Sequence, residues 1–207
     1  MSKNEIETRV VKPELFLVTE DNRILTKEDE KELDDIITSI EDFMSDNSGK
    51  GKSEEEKDEL YKQSQDMWFD LKKKLEDVKY NFYLNRDEYN YLTDLILEKM
   101  EYDVNTIFFA IELGNMLKNM KEKMVFSNDK ELKAIEVNTT EMVYTYHLIS
   151  KHTVKGLKKK SFLFAYILKK IGDVNKIINY YDASIKNLST EIQDWVASFD
   201  DGVEIEN

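Results

Sequence analysis

The stretch "VNKIINYYDASIKNLSTEIQDWVASF", residues 174–199, sets Val174, Ile178, Tyr181, Ile185, Leu188, Ile192, Trp195 and Phe199 at alternating steps of four and three. That alternation holds large apolar side chains on one stripe of an α-helix for nearly four heptads. A stripe this narrow is buried only against other helices. The stretch therefore decides the fold class: mainly α, an elongated helical bundle of long amphipathic helices with a short N-terminal β arm.

Upstream segments carry matching stripes. Thr26 reads as an N-cap with Asp29 at the third helical position, and Leu33, Ile36, Ile37, Ile40, Phe43 and Met44 follow on one face. The polar loop "SDNSGKGKS" (45–53) ends that helix, and Ser53 with Glu56 opens the next as a capping box. Trp68, Leu71, Leu75, Val78 and Phe82 then step by 3, 4, 3 and 4, extending the predicted helix to residue 82. Asn85 and Glu88 read as another cap. A long helical period follows through Leu92, Leu95, Ile96, Met100, Val104, Ile107, Phe108, Ile111, Leu117, Met120 and Met124, with a break or bend near 103–106. The run "LKAIEV" (132–137) reads as a short strand, and residues 141–152 as a helix with Met142, Val143, Tyr146 and Ile149 on one face. Gly156 and Gly172 are expected breaks that isolate a short apolar helix over 157–171. No internal repeat is visible.

The N-terminal residues read differently. In "VVKPELFLVTEDNRIL" (10–25), β-leaning residues flank the turn pair Asp21-Asn22, and Pro13 keeps its neighbours out of a central strand. The expected division is a β arm over 1–25, a helical bundle over 26–200 and an acidic tail over 201–207. A lone hairpin is marginal in water, so the arm is expected to dock on the body or on another chain.

Composition narrows the class. Apolar residues are 41% and aromatics 11% of 207, enough for a core and against wholesale disorder. One proline and six glycines favour long helices over a many-turned β protein. The absence of cysteine excludes disulfides, thiol catalysis and cysteine-ligated zinc. The start "MSKNEIETRV" lacks a signal-peptide core, and the longest clean apolar run, 162–168, is far short of the roughly 20 residues that a bilayer requires. The expected setting is a cytoplasm, or a virion within a host, with no membrane. A bias to Lys, Asn, Ile, Asp, Glu and Tyr points to an AT-rich genome, such as that of many phages and low-GC bacteria.

No motif of catalysis or ligation stands up. Gly51-Lys52-Ser53 matches the end of a phosphate loop, but Asp46 occupies the position of the first glycine and a helix, not a strand, precedes it. The acidic clusters at 28–35 and 54–59 sit in first turns and polar helix faces, where carboxylates complement the helix dipole. His147 and His152 are five apart, not the four that a helical metal pair prefers. The chain is thus expected to be no enzyme, with no cofactor, metal or small-molecule substrate.

Charge is the strongest remaining signal. The chain carries −13, yet residues 142–172 hold Lys151, Lys155, Lys158, Lys159, Lys160, Lys169 and Lys170 and no acid. The segment is +7 and the rest of the chain −20. Three readings compete: lysines that offset carboxylates within the bundle, a docking surface for a protein, and a contact for phosphates. The first is the ordinary outcome for a charge run, and the second is favoured over the third, because Phe162, Leu163, Phe164, Tyr166, Ile167 and Leu168 lie among the lysines, and arginine is absent from the segment. Tyr83, Tyr89 and Tyr91 cluster about the Asn85 turn as a second contact surface. The expected partner-binding residues are Lys151, Lys155, Lys158, Lys159, Lys160, Phe162, Phe164, Tyr83, Tyr89 and Tyr91. The expected function is a non-enzymatic structural, assembly or adaptor protein acting through contacts with other protein chains, including copies of itself. The narrower expectation is a phage virion or assembly component. The alternatives are a nucleic-acid-associated accessory protein using residues 151–170, and an acidic inhibitor that mimics nucleic-acid charge.

Overall fold

The structure is a computed structural model that describes residues 23–47, 49–99, 107–150 and 158–199. Among these, helices α1 (Lys27–Asp46), α2 (Glu54–Asp77), α3 (Arg86–Lys99), α4 (Ile107–Lys123), α5 (Thr139–Ser150) and α6 (Lys158–Ala197) dominate, with strands β1 (Tyr80–Leu84) and β2 (Lys133–Val137). The mainly helical class expected from the stripes is the one observed. The expected N-terminal arm and acidic tail lie largely outside the described residues. Two compact units divide the chain: one holds residues 27–76 and 179–199, the other 23–26 and 77–178.

The first unit comprises α1, α2 and the second half of α6. Asp34 meets Tyr181, whose hydroxyl donates to its carboxylate (3.3 Å), and Trp195 Nε1 donates to the Asn47 carbonyl (2.9 Å). Contacts that rise together along both helices mean that α1 and α6 run parallel. Lys74, near the end of α2, pairs with Glu32 (2.7 Å) and Asp29 (3.4 Å) at the start of α1, so α2 runs antiparallel to both. Trp68 Nε1 closes the third side by donating to the Ile185 carbonyl (3.1 Å). Tyr181, Ile185, Leu188, Ile192 and Phe199 are buried here as their spacing predicts. The loop 45–53 is more than a polar connection. Gly49 is buried, and a Cβ there would stand 2.1 Å from the Phe199 ring, which itself packs edge-on against Trp195. The Ser53–Glu56 capping box forms as expected.

Strand β1 is the main departure in the second unit. The heptad stepping through Val78 and Phe82 predicts helix, but α2 stops at Asp77 and residues 80–84 pair antiparallel with β2. "YNFYL" satisfies two periods at once, and its alternation of buried and half-buried side chains fits the strand. Tyr80, Phe82 and Leu84 with Ile135 and Val137 form one buried face. On the other edge of β1 the Asn81 N–H donates to the Ile24 carbonyl (2.6 Å) and its side-chain amide to the Arg23 carbonyl (3.0 Å), so residues 23–25 dock against the body.

α6 does not break at Gly172. It runs unbroken for 40 residues, because Ile167, Ile171, Val174, Ile178 and Tyr181 keep one buried stripe through the glycine. A mid-helix glycine costs only about 1 kcal/mol against alanine, which that stripe outweighs. In α4 the buried stripe is Ala110, Leu113, Met116, Met120 and Met124, whereas Phe108 and Ile111, expected within the helical stripe, are exposed. In α5, Met142 and Ile149 are buried with Thr145, while Val143 and Tyr146 face outward.

The second unit uses one local pattern twice, a strand that hands to a helix through an Asn–Glu pair, with matching residues at a fixed shift. Phe82 matches Ile135, Asn85 matches Asn138, Glu88 matches Glu141, Tyr91 matches Tyr144 and Ile96 matches Ile149, all at a shift of 53. Phe82 and Ile135 are also register partners across the ladder, so a local two-fold passes between them. With one further residue inserted, Leu113, Met120 and Met124 match Ile167, Val174 and Ile178, and all six are buried. Replacing Gly49 by alanine is expected to destabilise the chain by about 1–3 kcal/mol through the clash with Phe199, read as a fall in thermal midpoint; an unchanged midpoint would contradict the packing of this loop.

Candidate functional site

Both strands hand directly to a helix through the same device. The Asn85 N–H donates to Glu88 Oε2 (2.9 Å) while the Glu88 N–H donates to Asn85 Oδ1 (2.9 Å). Asn138 and Glu141 repeat this at 2.8 and 2.7 Å. Each reciprocal pair satisfies two backbone donors that a helix start leaves open. Each glutamate is also buried, at 4% exposure.

Their surroundings differ. Glu88 accepts from Lys170 of α6 at 2.5 Å, so its charge is compensated. At the position matching Lys170, α4 carries Met116. Glu141 therefore lacks the corresponding cation, and Thr145 above it donates to the Glu141 carbonyl (2.7 Å) and approaches Met116 Sδ (3.2 Å). Burial pushes the Glu141 carboxyl above its ordinary value and Glu112 adds to the rise, while the Asn138 N–H and Lys79 oppose it.

Of the lysines in the acid-free segment, Lys170 thus serves the fold internally. Lys160 and Lys169 are exposed on α6; Lys151 and Lys155 lie outside the described residues, as do the side chains of Lys158 and Lys159. Phe164 is half-buried, but Phe162 and Tyr166, one helical turn apart, are 63% and 61% exposed. Lys169 and the two aromatic side chains therefore share the outer face of α6, with Ile167 and Ile171 on the inner one, whereas Lys160 lies in line with Ile167 and is exposed at the helix start.

The tyrosines at the Asn85 turn are drawn into the unit. Tyr83 OH lies 3.5 Å from the Arg23 carbonyl, and burial raises its hydroxyl pKa. Tyr89 packs on Phe126 (5.9 Å), whose carbonyl accepts from Arg86 (2.8 Å); Arg86 in turn pairs with Asp129 (2.9 Å). Tyr91 is half-buried, and burial also raises its hydroxyl pKa. These tyrosines and the α6 face belong to the same unit, joined through Glu88 and Lys170, with the Tyr83 hydroxyl and the Tyr89 ring in internal contacts.

The pair that sequence reasoning missed is Phe108 and Ile111, at 74% and 51% exposure at the start of α4. Phe108 matches Phe162 of α6. The signal was present in the spacing: Ala110, Leu113, Met116 and Met120 make an alternative stripe that leaves Phe108 and Ile111 outside it.

Among the described residues, no group of three or more His, Cys, Asp or Glu side chains is placed to hold a metal, and His147 is exposed. Among them, too, no helix is long and apolar enough to cross a membrane. No protein-family model, curated protein or solved structure matches the chain.

The two matched glutamates should respond oppositely to neutralisation. Glutamine preserves a capping box. Glu88→Gln removes the partner of Lys170 and is expected to lower stability by about 1–3 kcal/mol at pH 7. Glu141→Gln removes a buried charge that is only partly compensated and is expected to raise stability at pH 7. A carboxyl whose folded-state pKa is raised binds its proton more readily in the folded chain, so its ionisation costs stability above that pKa. The gain from Glu141→Gln should therefore shrink as pH falls through the raised value toward the ordinary 4.5. Urea titrations of both variants from pH 7 to pH 4 check this; a loss of stability in Glu141→Gln at pH 7 would contradict it.

Proposed function

We propose that this chain is a non-enzymatic assembly or adaptor protein that works through protein–protein contacts, with the outer face of α6 as its docking surface. The observation that carries the reading is the exposed pair Phe162 and Tyr166 beside exposed Lys169 within the acid-free segment. Large aromatic rings left in water mark contact surfaces, since Tyr and Phe are enriched at interface cores. Lysines around them supply orientation and selection against basic partners.

Nucleic acid fits this face less well. The segment has no arginine, the planar phosphate and base reader, and phosphate binding needs no apolar pair at its centre. The remaining −20 also opposes a polyanion at short range. In this reading the chain is a component of a larger particle, and its Lys- and Asn-rich, AT-biased composition favours a phage virion or assembly part.

The test is the triple change of Lys158, Lys159 and Lys160 to Glu. In extracts of its source, the wild-type chain is expected to migrate in a complex larger than the free chain, and the triple variant to be lost from it. Retention on duplex or single-stranded DNA at about 0.15 M salt should be negligible for both proteins. Tight retention of the wild type, abolished by the triple change, would overturn the reading and assign the face to nucleic acid.

A further inference from the structure

We infer that the outer edge of β2 pairs with the same edge of a second copy of this chain, antiparallel and about a two-fold axis at Ile135, so that the two sheets join as one in the order β1–β2–β2–β1. This surface is separate from the outer face of α6, and the inference does not rest on the reading of that face.

The ladder determines which backbone groups face outward. The Asn81 N–H donates to the Ile24 carbonyl (2.6 Å), so the main chain of Asn81 points away from β2. In an antiparallel pair, opposed residues alternate between exchanging both hydrogen bonds and turning both sets of groups outward. Asn81 stands opposite Glu136 and Tyr83 opposite Ala134, so these are the outward pairs, and Phe82 with Ile135 is a bonded one. The N–H and C=O groups of Ala134 and Glu136 therefore aim at the far edge of the sheet. On the β1 side the outward groups meet residues 23–25. On the β2 side, among the described residues, nothing bonds the main chain of Ala134 or Glu136 at that edge. Glu136 is exposed and Ala134 half-buried. An edge of this kind is a template for another strand.

The register fits the edge to itself. β2 has five residues, Lys133–Val137, and Ile135 is their centre. An axis there overlaps the whole strand and sets Ala134 opposite Glu136 of the copy, and Glu136 opposite its Ala134. All of these are outward residues, so both pairs exchange both of their hydrogen bonds. Each sets a small side chain against a long one. An axis at Glu136 would instead oppose two carboxylates, which is destabilising.

Charge permits the contact. Lysine is a common guard of exposed edges. Here Lys133 is paired with Glu131 (3.4 Å), and Glu136 with Lys123 at the end of α4 (2.9 Å). The charges that β2 carries are thus balanced within each copy, although the chain as a whole carries −13. No proline interrupts the strand. Leu132, immediately before it, is 39% exposed, and Val125, two residues beyond Lys123, is 73% exposed, which leaves apolar surface beside the edge for the copy to cover. The contact is isologous, so it closes at two copies. It is also small, and therefore weak and dependent on concentration.

Changes at Ala134 test this. Purified wild type should pass from one chain to two, and no further, in sedimentation between about 1 and 300 µM, the range in which weak contacts form. Ala134→Pro removes an outward N–H and no ladder bond, and should leave a single chain with wild-type far-UV circular dichroism. Ala134→Glu sets a carboxylate opposite Glu136 of the copy and should weaken the dimer roughly tenfold, because the axis repeats the pair. Ala134→Lys sets an ammonium there and should strengthen it by a similar factor. A merely structural effect of altering position 134 would move both variants the same way, so this pair decides the matter if the proline variant loses its fold. A wild type that stays a single chain, one that grows past two copies, or folded Ala134→Pro that still dimerises would overturn the inference. So would Ala134→Glu and Ala134→Lys shifting the dimer in the same direction. Loss of the dimer in the triple lysine variant of α6 would move the contact to that face. If the pure chain stays single and residues 133–137 cross-link to another protein in extracts of its source, the edge belongs to a foreign strand and self-pairing is overturned.

Discussion

The pairing of β1 with β2 about Phe82 and Ile135 is the constraint on which the second unit depends. Each strand ends in an asparagine, and each asparagine locks a helix start by exchanging hydrogen bonds with a glutamate three residues on. The ladder fixes where Asn85 and Asn138 sit, and the capping boxes fix where α3 and α5 begin. A two-stranded sheet is marginal by itself. Here its apolar face is buried, and residues 23–25 lie along its open edge.

The two Asn–Glu caps nevertheless sit in different surroundings. Lys170 compensates Glu88, whereas Met116 leaves Glu141 to its backbone donors and a raised pKa. A buried, half-compensated carboxylate weakens the fold, and the chain tolerates it at one of its two Asn–Glu caps only.

Much of the helical architecture was legible because it rests on one-dimensional periodicity. The seam through Tyr181, Ile185, Leu188 and Ile192 could be buried only in a helix. The Ser53–Glu56 and Asn85–Glu88 caps follow from local chemistry that needs no tertiary context. β1 was not legible, because Val78 and Phe82 continue a heptad as readily as they alternate in a strand, and only the partner strand 53 residues away decides between them. The continuity of α6 through Gly172 depended likewise on the long-range burial of Ile171 and Val174. The acid-free segment was plain in the sequence, but its division into an inner lysine at 170 and an outer face of Phe162, Tyr166 and Lys169 required α3 to be placed beside α6.

The central claim is that the outer face of α6 docks a protein. Zero-length carbodiimide cross-linking of the 15N-labelled chain in an extract of its source tests it most directly, because heavy–light peptides report contacts with other chains alone. The account predicts heavy–light links from Lys169 of α6 to carboxylates of another chain. Heavy–light links absent altogether, or confined to the acidic first turns of α1 and α2, would contradict it.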